Sequence, residues 1–545
     1  MPDVTRREIL GVIGIAVVVV AISSVPYLLG YLSATPHTEF GGFVIDLEDS
    51  FSYLAKMQQG AWDGWRYRIP FTTEEHHGAY LYTFYVALGK LSASLHLSLI
   101  LTYQLARVVA GLAMLLSAYL FISVFLETRE ARLTAYLLVC FSSGLGWLVL
   151  LLTRSSTLWG LSPMDFWLYE AYSLFTLLTF PHASAAVAML LAFFLLALRY
   201  LTTFHFATLL WSILALLGLC VIHPFMALPV DGALGVYAML LLVVRRRLPR
   251  REFPAILIWA LTPIPLIAYY LSAFASDPVF RSWSAQNILP TPPLIHVVLG
   301  YGLVLMLAMV GTVRVIRQRT EKQLLLVAWA SSALLLAYAP FALQRRMVEG
   351  LHVPLCVLAA VGLLEFLLPR ALGSEWLTRF ARWRGYRTDG LRRFLVFSII
   401  VATFPSNLYL LASASSIALR HDPGLFYERH EVEAIDWLKD NTRRSDPVLA
   451  SYKIGRLIPA RAGNMVFVGH SIETVQFERK IELAANFFQA DTSDDFRRAL
   501  LIEYGVRYVF HGPRERQLGD FDPSTCEYLT PAYHNPEVTI YRVRT

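Results

Sequence analysis

The chain has 545 residues, of which 56% are hydrophobic and 16% charged. That balance excludes an ordinary soluble protein, in which about a quarter of the residues carry charge. The net charge of +7 does not indicate nucleic acid, because the basic residues sit in short clusters between apolar runs.

Apolar stretches of about 18–25 residues recur, long enough to cross roughly 30 Å of hydrocarbon. Eleven are expected, near 9–32, 103–126, 131–153, 183–201, 206–223, 226–244, 254–274, 293–313, 323–341, 352–369 and 393–415. The first follows Arg6 and Arg7, but its apolar run is too long for a signal peptide and lacks a small-x-small exit, so it reads as an uncleaved anchor. Arginines then cluster in alternate loops, as at Arg129/Arg132, Arg245–Arg247, Arg314–Arg319 and 370–392. This positive-inside pattern puts the N-terminus in the cytoplasm and, after an odd number of spans, the C-terminus outside. The expected fold is thus an α-helical polytopic membrane domain over 1–416, N-in and C-out. Its large outer loops lie at 33–102, 154–182, 275–292 and 342–351.

Within the first outer loop, three carboxylates crowd into Asp46-Leu47-Glu48-Asp49. From Asp46 to about Gln59 the pattern suits a surface helix, with Leu47, Phe51 and Leu54 forming a lipid-facing stripe. Three- and four-residue steps put Asp46, Asp49 and Tyr53 on another face, with Glu48 pointing elsewhere. Two neighbouring acids resist joint ionisation, which suits a general base; acids in a first turn also complement the helix dipole. Downstream, Thr72 and Glu75 fit a capping box. His76 and His77 can donate to a phosphate, and as a lone pair they make a poor metal site.

Other cations break the positive-inside pattern. Arg345 and Arg346 lie at an outer span end, near Glu349 and His352, and Arg107 enters the second span. Arginine binds phosphate through paired hydrogen bonds, although an interfacial arginine also snorkels or pairs with a nearby acid. Past residue 416 the chain becomes more polar. Strand-like runs at 447–451, 465–468, 506–510 and 538–543 alternate with helical patterns at 432–438 and 495–501. Residues 417–545 read as a small extracytoplasmic α/β domain. The four cysteines suit neither a disulfide there nor a metal site.

The chain resembles the GT-C superfamily of polytopic membrane glycosyltransferases. The likeness rests on the N-in anchor, the first outer loop with Asp46, Glu48 and Asp49 followed by Tyr53, the aromatic run Tyr80–Tyr85, Arg107 and the outer C-terminal domain. It implies a multi-pass enzyme of the plasma membrane with its active site on the extracytoplasmic face. A sugar would pass with inversion from a polyprenyl-phosphate carrier to a hydroxyl of a glycan, lipid or protein acceptor. An acid of the first outer loop would be the base, by position Asp49, then Asp46 or Glu48. Arg345, Arg346, Arg107, His76 and His77 would serve the donor phosphate, and Tyr53, Glu75, Glu349 and His352 the acceptor or sugar. The oligosaccharyltransferase signature Trp-Trp-Asp-Tyr-Gly is absent, and no cofactor is implied. A divalent metal belongs to an alternative, a glycan polymerase or ligase using a diphosphate carrier. A transporter or flippase is a further alternative.

Overall fold

The structure, a computed structural model, describes residues 4–375, 379 and 387–544. The basic connector expected over 370–392 therefore lies partly outside the described residues. Among the described residues, seven helices are long and apolar enough to cross a bilayer: Arg6–Ser33, Leu99–Phe125, Pro181–Thr203, Pro224–Arg245, Phe253–Ser276, Leu294–Gln318 and His352–Leu372. Two helix pairs raise the count to nine if each is one span. Arg129–Phe141 with Gly146–Thr153 bends by 51°, and Asp389–Ala402 with Pro405–Leu419 by 44°. Pro405 explains the second bend, since proline lacks the N–H that would continue the ladder and pushes the residue before it out of helical geometry. The remaining two expected stretches form Phe206–Ile222, of 17 residues, and Glu321–Leu336, of 16. Both fall short of the roughly 20 residues a perpendicular span needs. All eleven apolar stretches are helical, but by length and composition seven to nine among the described residues are candidate spans.

The chain forms two compact units. One comprises the stretch up to Ser24 with Arg107–Ile267 and Leu289–Ser413; the other comprises Val25–Ala106, Ala268–Ile288 and the stretch from Ala414 onward. In the first unit, helix Pro181–Thr203 packs on Phe206–Ile222, and Leu294–Gln318 packs on His352–Val361. Its core holds the fully buried Trp259 and Trp329, edge-on to Phe193 and tilted on Phe194 respectively.

In the second unit, helix Leu47–Trp62 lies against helix Thr83–Leu95. Their backbones touch, because a Cβ at Gly60 would run into the Val86 carbonyl and one at Gly89 into that of Met57. Phe51 and Leu54 are 1% and 4% exposed; Phe51 meets Phe43 and Tyr427 edge-on. The stripe expected to face lipid is instead a protein-facing seam, since the same periodicity serves either partner.

The C-terminal stretch carries a four-stranded sheet ordered Val448–Leu449, Tyr508–His511, Thr539–Val543, Leu529–His534, with the first pair parallel and the others antiparallel. The run at 465–468 contributes an isolated bridge at Val466 rather than a strand. Strand Leu529–His534 had no clear sequence signal, for it contains Pro531 and a register shift beside it. Phe467, Phe487, Phe488, Val509 and Tyr541 form its core. A short antiparallel pair, Thr38–Phe40 with Phe426–Glu428, ties the first loop to this stretch.

Candidate active site

The helix bearing the acids begins at Leu47, with Asp46 as an exposed N-cap in the left-handed region at φ 49°. Glu48 and Asp49 occupy its first turn, and Ser52 and Lys56 follow at four-residue steps on one face. Opposite that face runs Gly469–Thr474. His470 is 3% exposed, and its Nε2 lies 3.2 Å from Asp49 Oδ1. Its Nδ1 accepts the backbone N–H groups of Ile472 at 3.1 Å and Glu473 at 3.2 Å. A nitrogen that accepts carries no proton, so Nε2 holds the hydrogen and donates it to Asp49. Glu48 accepts from the Ser471 N–H and lies 3.7 Å from His470 Nδ1. Glu48, expected to point away from Asp49, thus converges with it on His470.

Below this pair lies a buried charge network. Lys56 Nζ is 2.7 Å from Glu473 Oε1 and also donates to Ser52. Ser52 Oγ donates to Glu473 Oε1 at 2.6 Å, and Tyr67 OH to Oε2 at 2.6 Å. The Lys56 ammonium stands 4.1 Å from the Tyr82 ring centroid and 4.9 Å from that of Tyr67, a cation–π arrangement. Burial pulls the Lys56 pKa below its ordinary value although Glu473 opposes this. Burial would raise the Glu473 carboxyl, but the Lys56 ammonium beside it, with the Ser52 hydroxyl, holds it below its usual range. Burial likewise opposes charging His470, yet the bond to Asp49 and the charges of Glu473 and Glu48 outweigh it and raise its pKa. The two amide donors at Nδ1 act against that charging, and they favour the neutral Nε2–H form.

Segment Gly469–Thr474 is itself clamped. Thr474 Oγ1 accepts from the Gly469 and His470 N–H groups and donates to the Phe71 carbonyl at 2.8 Å. Gln286 Nε2 donates to the carbonyls of Ile472 and Thr474 at 2.7 and 3.0 Å.

The other expected site residues fall in two places. In the second unit, Tyr53 stacks on Tyr85 at 4.3 Å. His76 accepts the Ile69 N–H at Nε2 and donates from Nδ1 to the Glu74 carbonyl, both at 2.8 Å, so its ring braces a turn. His77 gives its backbone N–H to Asp277 at 2.9 Å. Thr72 bonds Glu74, which pairs with Lys480 at 2.7 Å. Glu75 is exposed and residues 71–78 form no helix, so the expected capping box is not formed.

In the first unit, Arg346 pairs with the buried Glu170 at 2.8 Å. Glu349 is 1% exposed and lies 2.9 Å from His223 Nδ1. Arg345 lies over the Trp167 ring at 5.3 Å, and its buried Nε has no hydrogen-bond partner among the described residues. His352 bonds Ser142 and Ser173, each at 3.0 Å. Arg107 is 2% exposed and donates to the Leu177 carbonyl and Ser24 Oγ, each at 2.9 Å, joining helices within the unit. Among the described residues, no group of three or more His, Cys, Asp or Glu side chains is arranged to hold a metal ion.

No protein-family model matches the chain, and no curated protein matches it in sequence. Its fold does match solved structures. The oligosaccharyltransferase of Archaeoglobus fulgidus, in the apo form, aligns at TM-score 0.55 and 14% identity over 92% of this chain and 69% of that one. ArnT from Cupriavidus metallidurans, solved bound to undecaprenyl phosphate, gives 0.53 and 11% over 96% of this chain and 97% of that one. Arabinofuranosyltransferase AftD from Mycobacteria gives 0.51 and 14% over 99% of this chain and 40% of that one. All three are GT-C membrane glycosyltransferases. What is shared at these identities is the fold, a polytopic helical membrane architecture like the one expected from the sequence.

Proposed function

We propose that this chain uses its GT-C fold to move a sugar from a polyprenyl-phosphate carrier to an acceptor hydroxyl, with inversion, on the extracytoplasmic face of the plasma membrane. The observation that carries this reading is the state of Asp49. One carboxylate oxygen is bonded by a buried imidazole, while the side chain as a whole keeps 32% exposure and can meet a substrate. Asp46 is an exposed cap and Glu48 is engaged by the Ser471 amide, which favours Asp49 among the three acids.

In the step itself, the acceptor oxygen attacks the anomeric carbon and its proton passes to Asp49. The bond from that carbon to the phosphate oxygen breaks, and the electron pair leaves with the polyprenyl phosphate. A positioned base contributes about 10²–10⁴-fold to such a reaction. Within the first unit, Arg345 is better suited than Arg346 to bind a phosphate, since Arg346 already pairs with Glu170. A donor left unbonded at a buried position is costly unless a ligand completes it.

The test is transfer in proteoliposomes supplied with polyprenyl-phosphate hexoses and pentoses radiolabelled in the sugar. Labelled acceptor and free polyprenyl monophosphate are expected together. Activity restricted to diphosphate-linked donors would contradict the monophosphate reading in favour of a polymerase or ligase. Carrier movement across the bilayer without sugar transfer would point to a flippase.

A further inference from the structure

We infer that His470, supplied by the C-terminal stretch, is the positioning residue of the proposed base, holding the Asp49 carboxylate in one orientation through its Nε2–H. The inference rests on the glycosyl-transfer reading above and extends it to a residue 421 positions away in sequence.

Three observations support it. The two backbone amides at Nδ1 fix both the tautomer and the ring plane of His470. The segment that carries those amides is clamped from two further parts of the chain, Phe71 through Thr474 and Gln286 through two carbonyls. The ring also packs against Phe71 at 5.5 Å. A side chain bonded to a carboxylate, oriented by its other nitrogen and locked by its neighbours, is how an imidazole sets the geometry of a reacting group.

The charged and titratable groups around His470 are Glu48, Asp49 and Lys56 from the acidic helix, Glu473 on its own segment, and Tyr67 and Tyr452 close to those carboxylates. Losing the Nε2–H donor leaves Asp49 less stabilised as a carboxylate, so its proton affinity rises.

The experiment compares H470A, H470Q, D49N and the double variant D49N/H470A in proteoliposomes. H470A is expected to lower kcat by about 10–100-fold, the worth of a hydrogen bond to a charged group, with KM for the donor changed less than about twofold. The acid limb of its kcat/KM profile should move to higher pH, a change that general loosening of the fold would not produce. H470Q, which restores a donor, is expected to regain most of the rate. D49N/H470A should be no slower than D49N alone, because His470 acts through Asp49. An unmoved acid limb in H470A, or multiplicative losses in the double variant, would overturn the inference. If H470A fails to fold, an H470Q enzyme that folds but stays as slow as D49N would do so as well. Full activity of D49N would sink the base assignment itself, a result distinguishable from either.

Discussion

On one side of helix Leu47–Trp62, Glu48, Asp49, Ser52 and Lys56 face the clamped segment Gly469–Thr474. On the other, Phe51, Leu54, Gln58, Ala61 and Trp62 line a cavity of about 600 Å³, with Arg461, Asp436 and Glu39 along its wall. Each side carries an ion pair between the first loop and the C-terminal stretch. Lys56 and Glu473 are 0% and 4% exposed, whereas Arg461 is 29% exposed and its partners Asp436 and Glu39 are each 42% exposed. The same type of contact therefore does different work. Removing one member of a buried pair strands the other charge and costs about 3–5 kcal/mol. A half-exposed pair, screened by water, contributes about 0.2–1 kcal/mol.

The largest effect that would break this contrast is at the buried pair. Lys56→Met or Glu473→Gln should destabilise the protein by about 3–5 kcal/mol, seen as a large fall in the unfolding temperature in detergent. The double change should recover part of that loss, because no charge is then left alone. Losses at Lys56 no greater than those at Arg461 would remove the distinction.

Next is Gly89→Ala. Its Cβ has no room against the Met57 carbonyl, so the two helices must separate, at about 1–3 kcal/mol. That shift should also move the acids away from His470 and slow transfer, read as a joint fall in stability and kcat.

The buried pair also makes stability depend on pH. Glu473 has a folded pKa below its ordinary 4.5. Its contribution is fully present above that value and is lost as pH falls through the lower folded value. The gap in unfolding temperature between the parent protein and E473Q should be widest near neutral pH and close below pH 4.5. A gap that stays constant into acid would contradict the paired, charged state of Glu473. The smallest effect is Arg461→Ala, expected to cost at most about 1 kcal/mol with transfer nearly unchanged.

Hydrophobic periodicity makes much of this fold legible. All eleven apolar stretches are helices, and the acids of the first loop open a helix as their spacing indicates. The bends were harder to see, although Ser142-Ser143-Gly144 and Phe404-Pro405 mark the breaks. At the site, Asp49 was visible as one of three clustered acids, but its partners were not. His470 and Glu473 lie in a polar stretch with no local motif, and only the folded chain brings them to the helix. Lys56 did leave a trace: a lone lysine on a helix whose neighbours are buried needs a partner acid somewhere. Arg346 and Glu349 are neighbours in sequence, yet Arg346 meets the Glu170 carboxylate and Glu349 the His223 imidazole, each from a different element.

Whether Asp49 is the base is decided by the rate of sugar transfer in proteoliposomes carrying D49N, against E48Q and D46N in parallel. D49N is expected to lose at least about 100-fold in kcat while binding the polyprenyl-phosphate donor normally, and D46N to stay close to the parent rate. Full transfer by D49N, or a loss confined to E48Q or D46N, would contradict that assignment.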